Sequence, residues 1–212
     1  MYNTLEVICM NYSCYKKSRD LSWKILIENH VTQLPIKVSR ICNQFGLKII
    51  NYDKGAEAIK YLQYEDICKE SDGFIFNDTI FYNNHCTIQR QRFTISHELG
   101  HYLLHGGKGF YNRQPFPNTI PFEQEANVLA SRLLAPSCVL WGVGVTKPEE
   151  IALLCDISLE AAQYRMNHMT QLYERERYFK QVYGKSYFLQ SPLEKQVYQL
   201  FEPYIHELKR YS

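Results

Sequence analysis

The run Ile95-Ser96-His97-Glu98-Leu99-Gly100-His101-Tyr102-Leu103-Leu104 constrains this chain more than any other segment. Apart from Glu98 it carries no charge, and no proline interrupts it, so it reads as an apolar helix that must pack inside the fold. Its two imidazoles and one carboxylate are then buried, and leaving them without partners is costly. A metal ion removes that cost. Histidines four apart on a helix are separated by about 40° of rotation and roughly 6 Å of rise, so His97 and His101 leave one face and converge on one ion. Glu98 is offset by about 100° and reaches the outer sphere of that ion without ligating it. This is the pattern of a zinc site whose water is deprotonated by a glutamate, with Glu98 as the general base.

A third ligand is expected on a later helix. The segment Glu123-Gln124-Glu125-Ala126-Asn127 opens a run to Leu134 with apolar residues at Val128, Leu129, Leu133 and Leu134, which is helical spacing closed by Ala135-Pro136. Glu123 and Glu125 both compete for the metal. Glu123 shares a face with Asn127, four residues on, whereas Glu125 points about 200° away from Glu123. A ligand at Glu123 and a supporting group at Asn127 therefore act from one side, the Asn127 amide oxygen accepting the spare N–H of a ligating histidine. His105 extends the ladder but lies eight residues from His97, about 12 Å along the axis, too far to share an ion held by bonds of about 2 Å. With Leu104 and Gly107 where a metzincin needs glycine and histidine, that pattern is excluded. His105 reads instead as a helix C-terminal residue facing the negative end of the helix ahead of Gly106-Gly107.

Composition narrows the class. Lys and Arg number 24 against 22 Asp and Glu, a net charge of +2 over 212 residues, which argues against a nucleic-acid partner. Seven scattered cysteines form no CxxC and no disulfide framework. The N-terminus lacks the regions of a signal peptide, and no run approaches the roughly 20 apolar residues needed to span a bilayer. The cytoplasm is the default location.

The remaining segments arrange themselves around the site. Residues 20–31 and 36–45 read as amphipathic helices, and Leu47–Ile50 reads as a strand. Gly73–Phe76 and Thr79–Tyr82 read as a hairpin around Asn77-Asp78. The second strand of that hairpin, just before the histidine helix, is expected to hold a peptide by strand addition. Residues 106–120 read as a loop over the cleft. Residues 151–169 have a helix–turn–helix look, yet Arg165 and His168 are the only cations of the second helix, too few for phosphate contacts, so a packed helical hairpin is expected. The Tyr- and charge-rich stretch 171–189 reads as a solvated helix, and Ser191-Pro192-Leu193-Glu194 caps a final helix to about Arg210.

Arg92–His105, together with Glu123–Asn127 and the later Leu133-Leu134-Ala135-Pro136, resembles the signature segments of the ImmA/IrrE family of metallo-endopeptidases. The resemblance spans roughly residues 30–170. Val128-Leu129-Ala130 and Leu134-Ala135-Pro136 depart from the family's usual Phe-Ala and Leu-Met-Pro, which are packing positions. The resemblance also favours Glu123 as ligand. It implies a gluzincin-like site in a protease that cuts or inactivates helix-turn-helix repressors of mobile elements or stress genes.

The expectation is therefore an α+β, mostly helical zincin-like domain over residues 1–170, with a small antiparallel sheet beside the histidine helix and a helical extension over 171–212. His97, His101 and Glu123 bind one Zn2+ (or Mn2+ or another divalent ion), Asn127 supports them, and Glu98 is catalytic. The partner is a cytoplasmic protein substrate, with no membrane. The rival readings are a regulator that sequesters a repressor without cutting it and a DNA-binding regulator.

Overall fold

The computed structural model describes residues 15–106 and 120–210. Cys9, Cys14, the segment read for a signal peptide and most of the loop expected over the cleft lie outside them. In order, the elements are α1 (Lys16–Glu28), α2 (Val38–Gln44), β1 (Lys48–Asn51), α3 (Ala56–Tyr61), α4 (Glu65–Glu70), β2 (Gly73–Phe76), β3 (Thr79–Tyr82), α5 (Ile88–His105), α6 (Ile120–Leu134), α7 (Ser137–Val143), α8 (Pro148–Cys155), α9 (Leu159–Tyr183) and α10 (Pro192–Arg210). The fold is α+β and mostly helical, zincin-like, with one three-stranded sheet. Helices α3 and α4 fall where no element was expected; each has six residues, too short to show a helical period.

The expected hairpin forms, and Asn77 takes the left-handed conformation the turn demands, φ 52°. Alternation along its strands decides which side chain meets which layer. Ile75 and Ile80 join the main core, while Phe74 and Phe81, stacked with ring centroids 4.9 Å apart, pack with Ile59 beneath α3 and α4.

Two expectations about the sheet need correction. It is mixed rather than antiparallel, because β1 pairs with β3 in parallel, Lys48 opposite Thr79. The strand order is β1-β3-β2, so Thr79–Tyr82 is central and its hydrogen-bonding edges are both taken. It therefore cannot hold an added peptide; among the described residues β1 and β2 are the edge strands, and β2 is the one that begins at the cleft. Residues 52–72 cross from β1 to β2, and that crossover puts β3 in the middle.

Helix α5 starts at Thr87, whose hydroxyl accepts from the Arg90 amide at 3.2 Å, and stops at Gly106 with φ +88°. It lies directly on α6, which buries Ala126, Leu129, Ala130 and Leu133 completely. Arg92 of α5 donates to the carbonyls of Cys155 and Asp156, each at 3.1 Å, and Gln89 donates to Asp156 Oδ1 at 2.8 Å. These bonds tie the α8–α9 turn to the histidine helix.

Residues 121–143 have the length and hydropathy of a membrane span, contrary to the sequence reading. In the fold they form two helices, α6 and α7, broken at Ala135-Pro136, and 61% of the apolar window is buried inside the protein. They make the centre of the core.

The boundary expected at residue 170 falls within the 25-residue helix α9. Gly184, φ +64°, ends that helix inside the Tyr-rich stretch. The chain then turns back, held by Glu176, which accepts from the Ser186 hydroxyl at 3.0 Å and the Tyr187 amide at 2.5 Å. This return buries Phe188 against Trp141, centroids 4.8 Å apart, so the stretch is not one solvated helix. Helix α10 buries Val197, Phe201 and Ile205, spaced four apart, against α1 and α7.

Candidate metal centre

His97 and His101 leave α5 on one face, with Nε2 atoms 3.0 Å apart. The first turn of α6 brings in Glu123, whose Oε2 lies 3.3 Å from His97 Nε2 and whose Oε1 lies 3.4 Å from His101 Nε2. A tetrahedral ion with bonds of 2.0–2.1 Å needs donors about 3.3 Å apart. Each of these separations is of that size, and one ligand atom from each residue lies within 4.8 Å of the others, so this triangle of residues fits a single divalent ion, and the two-imidazole, one-carboxylate set suits zinc.

Electrostatics agree with the geometry. Burial pushes the His97 imidazole towards neutrality, but the hydrogen bond to Glu123 and the charges of Glu98 and Glu123 outweigh it and raise its pKa. Hydrogen bonds from His101 and then His97 hold Glu123 far below the usual carboxylate range, against the pull of burial.

Asn127, one turn beyond Glu123, places Oδ1 2.9 Å from His97 Nδ1. An amide oxygen accepts, so Nδ1 carries the hydrogen and the Nε2 lone pair faces the centre. Glu98 is 6% exposed and lines a cleft of 290 Å³ together with His97, Glu123 and Asn127. Its carboxylate thus opens onto the same space as the triangle. The far wall is Ser71, Asp72 and Gly73, at the start of β2, and Arg90, Phe93 and Thr94 complete it. Gly73 is needed there, since a Cβ would fall 2.3 Å from Thr94 Cγ2.

Other candidates are sorted by position. Glu125 turns away from the triangle and lies 3.8 Å from His105 Nε2. His105 does not cap its own helix; its side chain is 3% exposed and reaches across to α6, 3.4 Å from the Phe122 carbonyl. Arg165, one of two cations offered for DNA, is buried and donates to the Ala135 carbonyl and to Ser137 Oγ.

The sequence reading missed the cleft walls. Arg90, Phe93 and Thr94 stand seven, four and three residues before His97, a helical period that would have placed them on its face. Asp72 had no comparable signal. It is held by Arg90 Nε at 2.6 Å across 18 residues.

Residues 42–167 match the IrrE N-terminal-like domain of the M78 peptidases, a span that includes every residue of the triangle and the cleft. No curated protein sequence matches the chain.

Proposed function

The chain belongs to the IrrE N-terminal-like peptidase family, and on that premise we propose that it is a metallo-endopeptidase with one zinc ion on His97, His101 and Glu123 and with Glu98 as its general base. The donor cluster carries the reading: the two imidazole nitrogens are 3.0 Å apart, and each lies 3.3 or 3.4 Å from one of the two Glu123 carboxylate oxygens. When bound, a divalent ion there supplies Lewis acidity, acidifying a water and polarising the scissile carbonyl. Glu98 takes the proton of the attacking water and returns it to the leaving amine. Asn127 fixes the His97 tautomer so that its lone pair points inward. The open edge of β2, beside the cleft, offers backbone groups to an extended peptide. Manganese or another divalent ion fits the same donors less selectively.

The resemblance to the ImmA/IrrE family extends the reading to the substrate, a cytoplasmic helix-turn-helix repressor cut between its DNA-binding and dimerisation parts. The described cysteines are all free thiols, which suits a reducing compartment. Burial of Arg165 in the second helix of the α8–α9 pair counts against a DNA-reading role.

The test is to incubate metal-loaded protein with a repressor encoded beside it and size the products by mass spectrometry. Glu98→Gln should keep its metal and stop cleavage. His97→Ala and Glu123→Ala should lose most bound metal, while Glu125→Ala and His105→Ala should retain it. Normal turnover by Glu98→Gln refutes the mechanism, and operator release without cleavage moves the function to sequestration.

A further inference from the structure

Between α6 and α9 lies a second cavity of 230 Å³ that shares Phe93 with the metal cleft. Val128, Leu134 and Ile157 make its walls apolar, but Arg132, Arg165 and His168 also line it. Arg165 is 8% exposed, and its guanidinium meets a carbonyl and a hydroxyl but no carboxylate among the described residues. Its Nε and the Nδ1 of His168 are buried without a hydrogen-bond partner among the described residues. A buried guanidinium with no counter-charge is costly, as is each buried polar atom left without a partner. The field is positive enough that burial, together with Arg165, Arg132 and Arg175, drives His168 down to about 3. Glu194 lines the neighbouring 340 Å³ cavity together with Arg132 and His168; its carboxylate accepts from the Leu189 amide at 2.9 Å and feels the charge of Arg19, and Arg165 is not among the residues lining that cavity.

We propose that the α6–α9 cavity is a substrate subsite that receives an acidic side chain, Glu or Asp, of the polypeptide held in the metal cleft, with Arg132, Arg165 and His168 around its carboxylate. The apolar walls take the methylenes and the guanidinium groups take the charge. Phe93 is a wall of both spaces, its ring 6.3 Å from that of His97. The step along α6 from Asn127 to Ser131 is about 6 Å and that from Glu123 to Arg132 about 13 Å. An extended peptide advances about 3.3 Å per residue, so the acidic residue sits about two to four residues from the scissile bond. The subsite deepens the peptidase reading and rests on it for the identity of the occupant.

The test separates binding from turnover. Fluorescent dodecapeptides, neutral apart from one Glu moved along the chain, are each paired with a Gln twin. Binding to metal-loaded Glu98→Gln protein is read by anisotropy, and cleavage by the wild type is read separately. At one or two registers the Glu peptide should bind about tenfold tighter than its twin or better. In Arg132→Gln and Arg165→Met that ratio should fall towards one. Arg132 is only partly buried, so Arg132→Gln carries the test if Arg165→Met does not fold. No Glu preference at any register overturns the proposal, and so does a preference that survives Arg132→Gln. Thermal stabilisation by inorganic phosphate with no Glu-over-Gln difference assigns the cavity to a free anion and overturns the substrate assignment. A Glu preference lost in the variants, without cleavage by the wild type, upholds the subsite and refutes the peptidase reading alone. Cleavage without a Glu preference does the reverse.

Discussion

Substituting Gly100 by alanine tests how closely the two ligand-bearing helices must approach. The added Cβ would lie 3.1 Å from Ala126 Cα and 3.3 Å from both its Cβ and its carbonyl oxygen. These are mostly backbone atoms of α6, with no flexible side chain to swing aside, so relief requires the helices to separate. Ordinary contact begins at 3.4 Å, which sets the shift at about 0.3 Å or more (3.4 less 3.1). Ala126 sits between Glu123 and Asn127, so the same shift carries both away from the histidines. Metal sites tolerate about 0.2 Å in ligand distance, and loss of a supporting contact typically lowers affinity 10–100-fold. Two opposing effects set stability. Alanine is about 1 kcal/mol better than glycine inside a helix, while overpacking costs about 1–3 kcal/mol. Metal-stripped Gly100→Ala should therefore be unchanged or up to about 2 kcal/mol less stable in urea. Its zinc affinity, measured by competition with a chromophoric chelator, should fall at least about tenfold. A variant that is about 1 kcal/mol more stable and binds zinc normally would refute the reasoning, because helix propensity alone would then describe the site.

Asn127→Ala should lower metal affinity about 10–100-fold, with Asn127→Asp largely retaining it; chelator competition checks both. Arg90→Gln tests the cleft wall by pH. Burial raises Asp72 and the Arg90 hydrogen bond lowers it, with a net depression, so the pair's contribution is complete above the unfolded value near 3.8 and fades as pH falls through the folded one. Urea unfolding should show the variant weaker at pH 5–7, with the deficit closing in acid below about 3.8. Phe201→Ala empties a fully buried position of α10 and should cost about 3–5 kcal/mol in one cooperative transition; a separate early transition would make residues 171–212 a detached unit.

The parts legible in the sequence are those set within about one helical turn or one hairpin. The His97–His101 spacing, the Asn77 turn, the Gly106 stop and the shared face of Glu123 and Asn127 all follow from local geometry. So does the inward orientation of His97 and His101, because an apolar helix has only the core to face. Tertiary structure decided the rest. Close approach at Gly100 and Ala126 carries Glu123, and not Glu125, to within 3.4 Å of both histidines. The crossover over residues 52–72 left β1 and β2 at the edges and put β3 in the middle. Arg165, one of the two cations of the second helix of the hairpin, is buried, and the return of residues 185–190 brought α10 into the same core. The physical reason is common to all of these. A side chain's direction along its own element is fixed by a period of 3.6 or 2, but which neighbour it meets depends on contacts between residues far apart in sequence, for which a single chain's local pattern holds no term.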